Sequence, residues 1–212
     1  MFFSYKHYIS RSIWYHYFMY LIIFFVVCLF AIIIIFAFPR FSPVPYFPSN
    51  GKDMLYILEA LDVRDNQLII DLGAGDGIII LKAAEKAFQK DLNTKFIAVE
   101  INPVLLLVLH IRRLLHPNRK NIKIVNTDMF SMNYSSLISN LQSPISHHKP
   151  LITFYIYISP WFIEKTVANI AKQMKKFDLV SYFYQVKYLP KHKERMEEGV
   201  HKVYKYSETR WH

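Results

Sequence analysis

The chain opens on an unbroken apolar run and then changes rhythm. Phe18 to Phe38, "FMYLIIFFVVCLFAIIIIFAF", is 21 residues without a charge. At about 1.5 Å per residue such a helix is about 31 Å long, the thickness of a bilayer's hydrocarbon core. Its Leu, Ile, Phe and Val residues contribute about −5 to −10 kcal/mol towards insertion. The pattern predicts one transmembrane helix over 18–38. The apolar core of a secretory signal is shorter, and no small-x-small cleavage site follows this run. Residues 1–17 form a basic and aromatic arm with Lys6, Arg11 and no acid. Its Tyr and Trp side chains suit the headgroup level. After the span comes "FPRFSPVPYFPSN", with Pro39, Pro43, Pro45 and Pro48. Proline cannot continue a helix, so a stiff linker over 39–48 is expected, reaching at most about 35 Å.

From Ser49 onward helical periods alternate with short apolar runs. Ser49 or Asn50 caps a helix with Met54, Leu55, Leu58 and Leu61 on one face. Residues 67–72 read as a strand, and a helix runs from Gly77 to about Lys90. "KFIAVE" is a second strand. "NPVLLLVLHIRRLL" is a helix with Asn102 as N-cap and Pro103 in the first turn. "IKIVN" is a third strand, Tyr134–Leu141 a short helix, and "LITFYIYI" a fourth strand. Ser159-Pro160 starts a helix to about Lys176, followed by strands "LVSYFYQV" and "VHKVYKY". This alternation predicts an α/β, Rossmann-like doubly wound sheet, mostly parallel, with helices on both faces, over residues 49–212. No long helix precedes the last strand, so that strand is expected to be antiparallel.

Composition adds little to this outline. Net charge is +10, and the 24 basic and 16 acidic residues after Phe38 leave that part with +8. Such a surface favours anionic lipid, nucleic acid or an acidic protein, or simply solubility. Cys28, the only cysteine, lies in the span, so neither an intrachain disulfide nor a cysteine zinc site is expected. His147-His148, in "LQSPISHHKP", reads as loop, and no metal site is predicted.

The chemistry concentrates in "LIIDLGAGDGIII", Leu68 to Ile80. Gly73, Gly75 and Gly77 interrupt a strand at the point where a doubly wound sheet binds ligands. Glycine there lets backbone approach a nucleotide-type cofactor. Dinucleotide enzymes use a different spacing, and Asp71 and Asp76 would repel a pyrophosphate. Two acids suit a cofactor with a cationic end.

"DLGAGDG" resembles the first motif of the class I S-adenosylmethionine-dependent methyltransferases, whose cofactor carries an amino group and a sulfonium. The resemblance implies that Glu100, closing the second strand, accepts from the ribose hydroxyls. It implies that Asp128 in "NTDMF" accepts from the adenine amino group. "VPYFPSNGKDML", "DLGAGDG", "VEINP" and "YISPWF" further resemble a membrane-anchored family of protein-lysine methyltransferases. Its eukaryotic members sit in mitochondria and modify the adenine nucleotide translocase or the ATP synthase c-ring. That likeness covers about residues 18–207 and implies a seven-strand core. The cofactor contacts implied are Tyr46, Pro48 and Ser49 before the core, Asp71, Gly73, Ala74, Gly75, Asp76 and Gly77 in the turn, and Glu100 and Asp128.

Methyl transfer to lysine needs a desolvated, deprotonated amine, which an apolar aromatic pocket favours. Candidates for that pocket are Tyr46, Phe47, Tyr157, Ser159, Pro160 and Trp161. Tyr157 and Trp161 read equally well as core packing, and Ser159 as a helix cap. No general base is assigned. The expected partners are a membrane, through the single span, and a membrane-protein substrate. "SPW" also resembles part of the motif of nucleic-acid amino methyltransferases, though the second proline is missing and a tether suits nucleic acid poorly. A lipid or quinone methyltransferase fits the tether, without a specific motif. Flanking charges leave orientation open. The need for cofactor places the domain on the cytosolic side, or on the matrix side of the mitochondrial inner membrane.

Overall fold

The computed structural model describes residues 2–38, 43–139, 150–187, 189 and 194–210. The His147-His148 pair and Pro39 lie outside them. The chain divides into two compact units, Met1–Pro43 and Val44–His212.

The first unit holds one helix, α1, Phe2–Ala37. The basic and aromatic arm is thus continuous with the apolar run. Trp14–Ala37 has a mean hydropathy of 3.3 over its most apolar window, and most of its large side chains are exposed. By length and composition this helix can cross a membrane.

The second unit contains α2 (Met54–Leu61), β1 (Gln67–Leu72), α3 (Ile78–Gln89), β2 (Lys95–Glu100), α4 (Pro103–Leu115), β3 (Ile122–Asn126) and α5 (Tyr134–Ser139). Then come β4 (Leu151–Ile156), α6 (Pro160–Gln173), β5 (Lys176–Tyr182), β6 (Glu194–Glu198) and β7 (Lys202–Arg210). The seven strands order as β3-β2-β1-β4-β5-β7-β6. β1 to β5 pair in parallel, and β7 is antiparallel to both β5 and β6. Every residue of β1 is buried, because helices cover both faces of the central strand. Ile69, Phe96, Ala98 and Val180 pack on one face with Ile57, Ala83, Ala84, Ala87 and Leu109 of α2, α3 and α4. Ile70, Leu72, Phe154 and Leu179 pack on the other with Tyr134, Ile163, Val167 and Ile170 of α5 and α6.

Three expectations change. The pattern gave six strands, and β6, "ERMEE", was missed because an exposed edge strand has no apolar alternation to read. The fifth strand runs over 176–182 rather than 179–186, ending where Phe183 takes φ +72°. The buried face of α2 is Ile57, Ala60 and Leu61, while Leu55 is 63% exposed. The helix start is shifted by a 3-10 turn over Gly51–Asp53, which Asn50 caps by accepting from Lys52 N at 3.0 Å.

Candidate active site

Where β1 ends, the backbone must turn sharply into α3. Gly73, Gly75 and Gly77 all have positive φ, at 74°, 59° and 80°. Gly73 N and Ala74 N donate to Val99 O of the neighbouring strand at 3.0 and 2.9 Å. Gly75 is also a steric requirement: a Cβ there would come within 2.7 Å of Tyr46 Cε2. A Cβ on Gly77 would collide with Leu109 Cδ1, so the third glycine serves α3–α4 packing.

Four acids surround this turn, in four different states. Glu100, 7% exposed, accepts from Gly75 N through Oε2 and from Ile101 N and Asn102 N through Oε1, each at 2.8 Å. It ties the end of β2 to the glycine turn, a role the sequence did not suggest. Two carboxylate oxygens offer about four acceptor positions, so room for a further hydroxyl donor remains. Asp128 accepts from Phe130 N at 2.9 Å and Ser131 Oγ at 3.3 Å, and sits beside Thr127, whose N–H donates to Glu100 O. Asp76 is paired with Arg112, whose Nη1 donates to Oδ2 at 2.6 Å. Arg112 therefore balances part of the charge at the turn. Asp71, 2% exposed, makes no side-chain hydrogen bond or ion pair with the described residues. Burial, then the charges of Glu100 and Asp76, push its carboxyl well above the ordinary range. Asn102 caps α4 through Oδ1, accepting from Val104 N at 2.9 Å, and its buried Nδ2 has no partner among the described residues.

Val44 to Asn50 lies over the carboxyl end of the sheet. Tyr46 covers Gly75, and burial and then the Asp76 charge raise its hydroxyl above its usual value. Ser49 Oγ lies 3.1 Å from the buried Tyr155 hydroxyl, and Asn50 N donates to Tyr182 Oη at 3.3 Å. Pro48 is exposed. Below this strap, Asp53 is fully buried and accepts from Tyr182 Oη at 2.7 Å, Val200 N at 2.6 Å and His201 N at 3.0 Å. Burial raises the Asp53 carboxyl, but the bonds from Tyr182, Val200 and His201 outweigh it and hold it below the ordinary value.

Beside the strap is a cavity of about 310 Å³. Val44, Pro45 and Phe47 line it from the strap, Tyr157, Ser159, Trp161 and Phe162 from the turn after β4, and Tyr184 from the end of β5. Four of the expected pocket residues, Phe47, Tyr157, Ser159 and Trp161, therefore meet; Tyr46 and Pro160 lie outside its lining. Trp161 is 83% exposed, which removes the core-packing reading for it. Tyr157 is partly core, edge-on to Tyr182 at 4.7 Å. Ser159 stands at the N-cap position of α6 but its side chain makes no capping bond. Tyr184, Arg112 and the Asp53–Tyr182–His201 cluster were not foreseen.

The strand order, the glycine turn and the acid closing β2 define the fold of the class I S-adenosylmethionine-dependent methyltransferases. An RNA methyltransferase from Salinibacter ruber, solved in complex with S-adenosyl-L-homocysteine, superposes with a TM-score of 0.59 at 18% identity, over 78% of this chain and 95% of that one. A precorrin-6y C5,15-methyltransferase from Geobacter metallireducens gives 0.50 at 16% identity, over 74% and 87%. In sequence, a probable ribosomal RNA small subunit methyltransferase A of Methanosphaera stadtmanae is 32% identical over 93 residues, 42% of this chain and 32% of that protein. A protein-lysine N-methyltransferase of Saccharolobus islandicus is 43% identical over 60 residues, 28% of this chain and 34% of that protein. The chain thus spans about a third of the length of these curated relatives. No protein-family model matches it. S-adenosylmethionine fits the residues present: a buried, unpartnered Asp71 for a cationic end, Glu100 for hydroxyl donors, and a turn open to backbone contact.

Proposed function

We propose that this chain is a membrane-anchored S-adenosylmethionine-dependent methyltransferase acting on lysine side chains of a membrane protein. Asp71, the turn Gly73–Gly77, Glu100 and Asp128 hold the cofactor, with Tyr46, Pro48 and Ser49 closing over it. The Trp14–Ala37 helix is the single-pass anchor, and the domain faces the cytosol, or the matrix in a mitochondrion. The lysine reading rests on the 310 Å³ cavity, whose lining carries no carboxylate and no stronger base than a tyrosine. Burial, then Tyr184, raises the Tyr157 hydroxyl, so it stays protonated and offers a ring face and a donor.

The bound cofactor supplies an electrophilic methyl group on a sulfonium. The protein's work is positioning and drying. Phe47, Tyr157 and Trp161 attract an ammonium by their ring faces, and the less exposed Tyr157, Phe162 and Tyr184 disfavour its charge by limiting water, so the amine loses its proton to solvent. The deprotonated amine would accept that methyl group, with S-adenosylhomocysteine as the leaving group.

The nucleic-acid reading is the runner-up, because one sequence relative is named as a ribosomal RNA methyltransferase. The experiment is methyl-labelled cofactor added to membranes carrying the protein, followed by protease, nuclease or organic extraction. Protease-sensitive label on lysine supports the proposal. Nuclease-sensitive label favours the nucleic-acid reading, and label extracted as small lipid favours a lipid acceptor.

A further inference from the structure

Helix α4 has two apolar faces, and among the described residues only one is buried. Leu105, Leu106 and Leu109 are buried against the domain. Leu107, Ile111, Leu114 and Leu115 are 62%, 51%, 62% and 82% exposed. Their spacing of four, three and one residues places them along one stripe. Scattered exposed leucines need no explanation, but a contiguous stripe on one helix does.

The stripe borders a basic groove. Between α4 and the β2–β3 edge lies a cavity of about 420 Å³, lined in part by Lys95, His110, Arg113, Lys120 and Lys123. Lys120 and Lys123 are exposed, and with Lys95, Arg113 and Arg119 they form no ion pair with a carboxylate among the described residues. Lys95 is held by Asn121 Oδ1 at 2.6 Å and Arg113 by Ile122 O at 2.6 Å, so their charges are oriented but not neutralised. Between Glu100 and Asp128 the sequence holds no acid at all. Five cations therefore stand uncompensated around an apolar stripe at one edge of the sheet.

An apolar ridge flanked by Lys and Arg is the chemistry of a surface that lies in the bilayer interface. Each cation near an anionic membrane adds attraction, and the apolar side chains gain by entering the headgroup–acyl boundary. Nucleic acid would use the cations but leave the four exposed Leu and Ile side chains without a partner. We infer that the outer face of α4, with the adjoining basic groove, docks on the surface of an anionic phospholipid bilayer. The domain is then held by two contacts, the span and this face. The inference rests on the membrane reading of Trp14–Ala37, and goes beyond it by assigning the domain a lipid-facing side.

The test uses the full chain, with Cys28→Ser, in nanodiscs of phosphatidylcholine alone or of equal parts phosphatidylcholine and phosphatidylglycerol. A nitroxide is attached at Ile111→Cys, and in a second protein at Met196→Cys, which is 45% exposed on β6 at the opposite edge of the sheet. The expected result is a severalfold rise, at position 111 only and in the anionic discs, of collision with dissolved oxygen relative to a water-soluble nickel chelate. Lys120→Glu with Lys123→Glu should return position 111 to its value in phosphatidylcholine while leaving cofactor affinity unchanged. Equal behaviour at 111 and 196 in both lipids, with the chain in the disc, overturns the docking face and leaves the anchor standing. A chain that does not enter the disc overturns both. Spin–spin broadening between labels at 111 would show that a second copy covers the stripe, and shielding of 111 by added RNA without lipid would give it to nucleic acid; either overturns the inference.

Discussion

Asp53 and Asp71 are both buried, at 0% and 2% exposure, and their carboxyls are driven in opposite directions. Asp53, at the start of α2, is surrounded by donors from the far end of the chain: Tyr182 Oη, Val200 N, His201 N and the His201 ring at 3.0 Å. Asp71, near the end of β1, has none among the described residues. Burial alone disfavours charge at both, and hydrogen bonds to the charged form reverse that at one. A satisfied carboxylate is a structural fastening; an unsatisfied one is what the proposed cofactor site would use. Here the first ties the β6–β7 turn to α2, and the second lies beside the glycine turn.

The largest expected effect tests the fastening. Asp53→Ala strands several buried donors, and should cost about 3–5 kcal/mol in urea unfolding of the detergent-solubilised chain. The pH dependence follows from the lowered carboxyl. Its stabilisation is complete above the ordinary carboxylate range and is lost as pH falls through the depressed folded value. Asp53→Asn should therefore flatten the acid limb of stability against pH. An unchanged acid limb would mean that other carboxylates govern acid unfolding.

Glu100 sharpens the comparison because it belongs to both kinds. It is buried and already holds three backbone N–H groups, yet it faces the turn where a ligand's hydroxyls would arrive. Glu100→Ala should weaken S-adenosylmethionine binding by about 1.5–3 kcal/mol in calorimetry, the range for hydrogen bonds to a charged group. Wild-type affinity would reduce Glu100 to a clasp between β2 and the turn.

Much of this was readable along the chain, for a physical reason. The glycine turn is local: positive φ and close approach demand glycine at fixed positions, and the acids follow within the same strand–helix units. Asn102 with Pro103 likewise announced the start of α4. The fastening was not readable, because Asp53 meets Tyr182 across 129 residues and His201 across 148, and nothing local marks the partners. The pairing of Asp76 with Arg112, 36 residues on, was hidden in the same way. The cavity sits between these cases. Its aromatic residues stand out one by one, but their meeting depends on the strap folding back over β4.

Asp71→Asn reverses the sign expected at Asp53. A raised folded pKa means that the cofactor-free domain loses stability as pH rises from the ordinary carboxylate range through the raised value. Removing the ionisable group should therefore stabilise the cofactor-free chain at neutral pH by about 1–3 kcal/mol, the usual desolvation penalty of a buried unpaired group. The same change should weaken cofactor binding, since the cationic end loses its counter-charge. Stability up with affinity down is the signature of a prepared site. If stability falls instead, as it should at Asp53, then Asp71 is a structural residue.

The smallest stability effect belongs to Trp161. It is 83% exposed, so Trp161→Ala removes little buried area, and the change in unfolding free energy should stay within about 0.5 kcal/mol. Cofactor affinity should be equally untouched, because the residue lies in the first turn of α6 and lines the cavity rather than the glycine turn. On the proposed lysine reading, its ring face would attract an incoming ammonium by about 0.5–2 kcal/mol. Methyl transfer to protein should therefore fall severalfold while binding and folding hold. The three readouts are label incorporation, calorimetry and urea unfolding on the same preparation. Loss of label with intact affinity assigns Trp161 to the acceptor side. Unchanged transfer would leave Trp161 an exposed ring without a role in acceptor capture, and would move recognition to the less exposed Phe162 and Tyr184 within the same cavity.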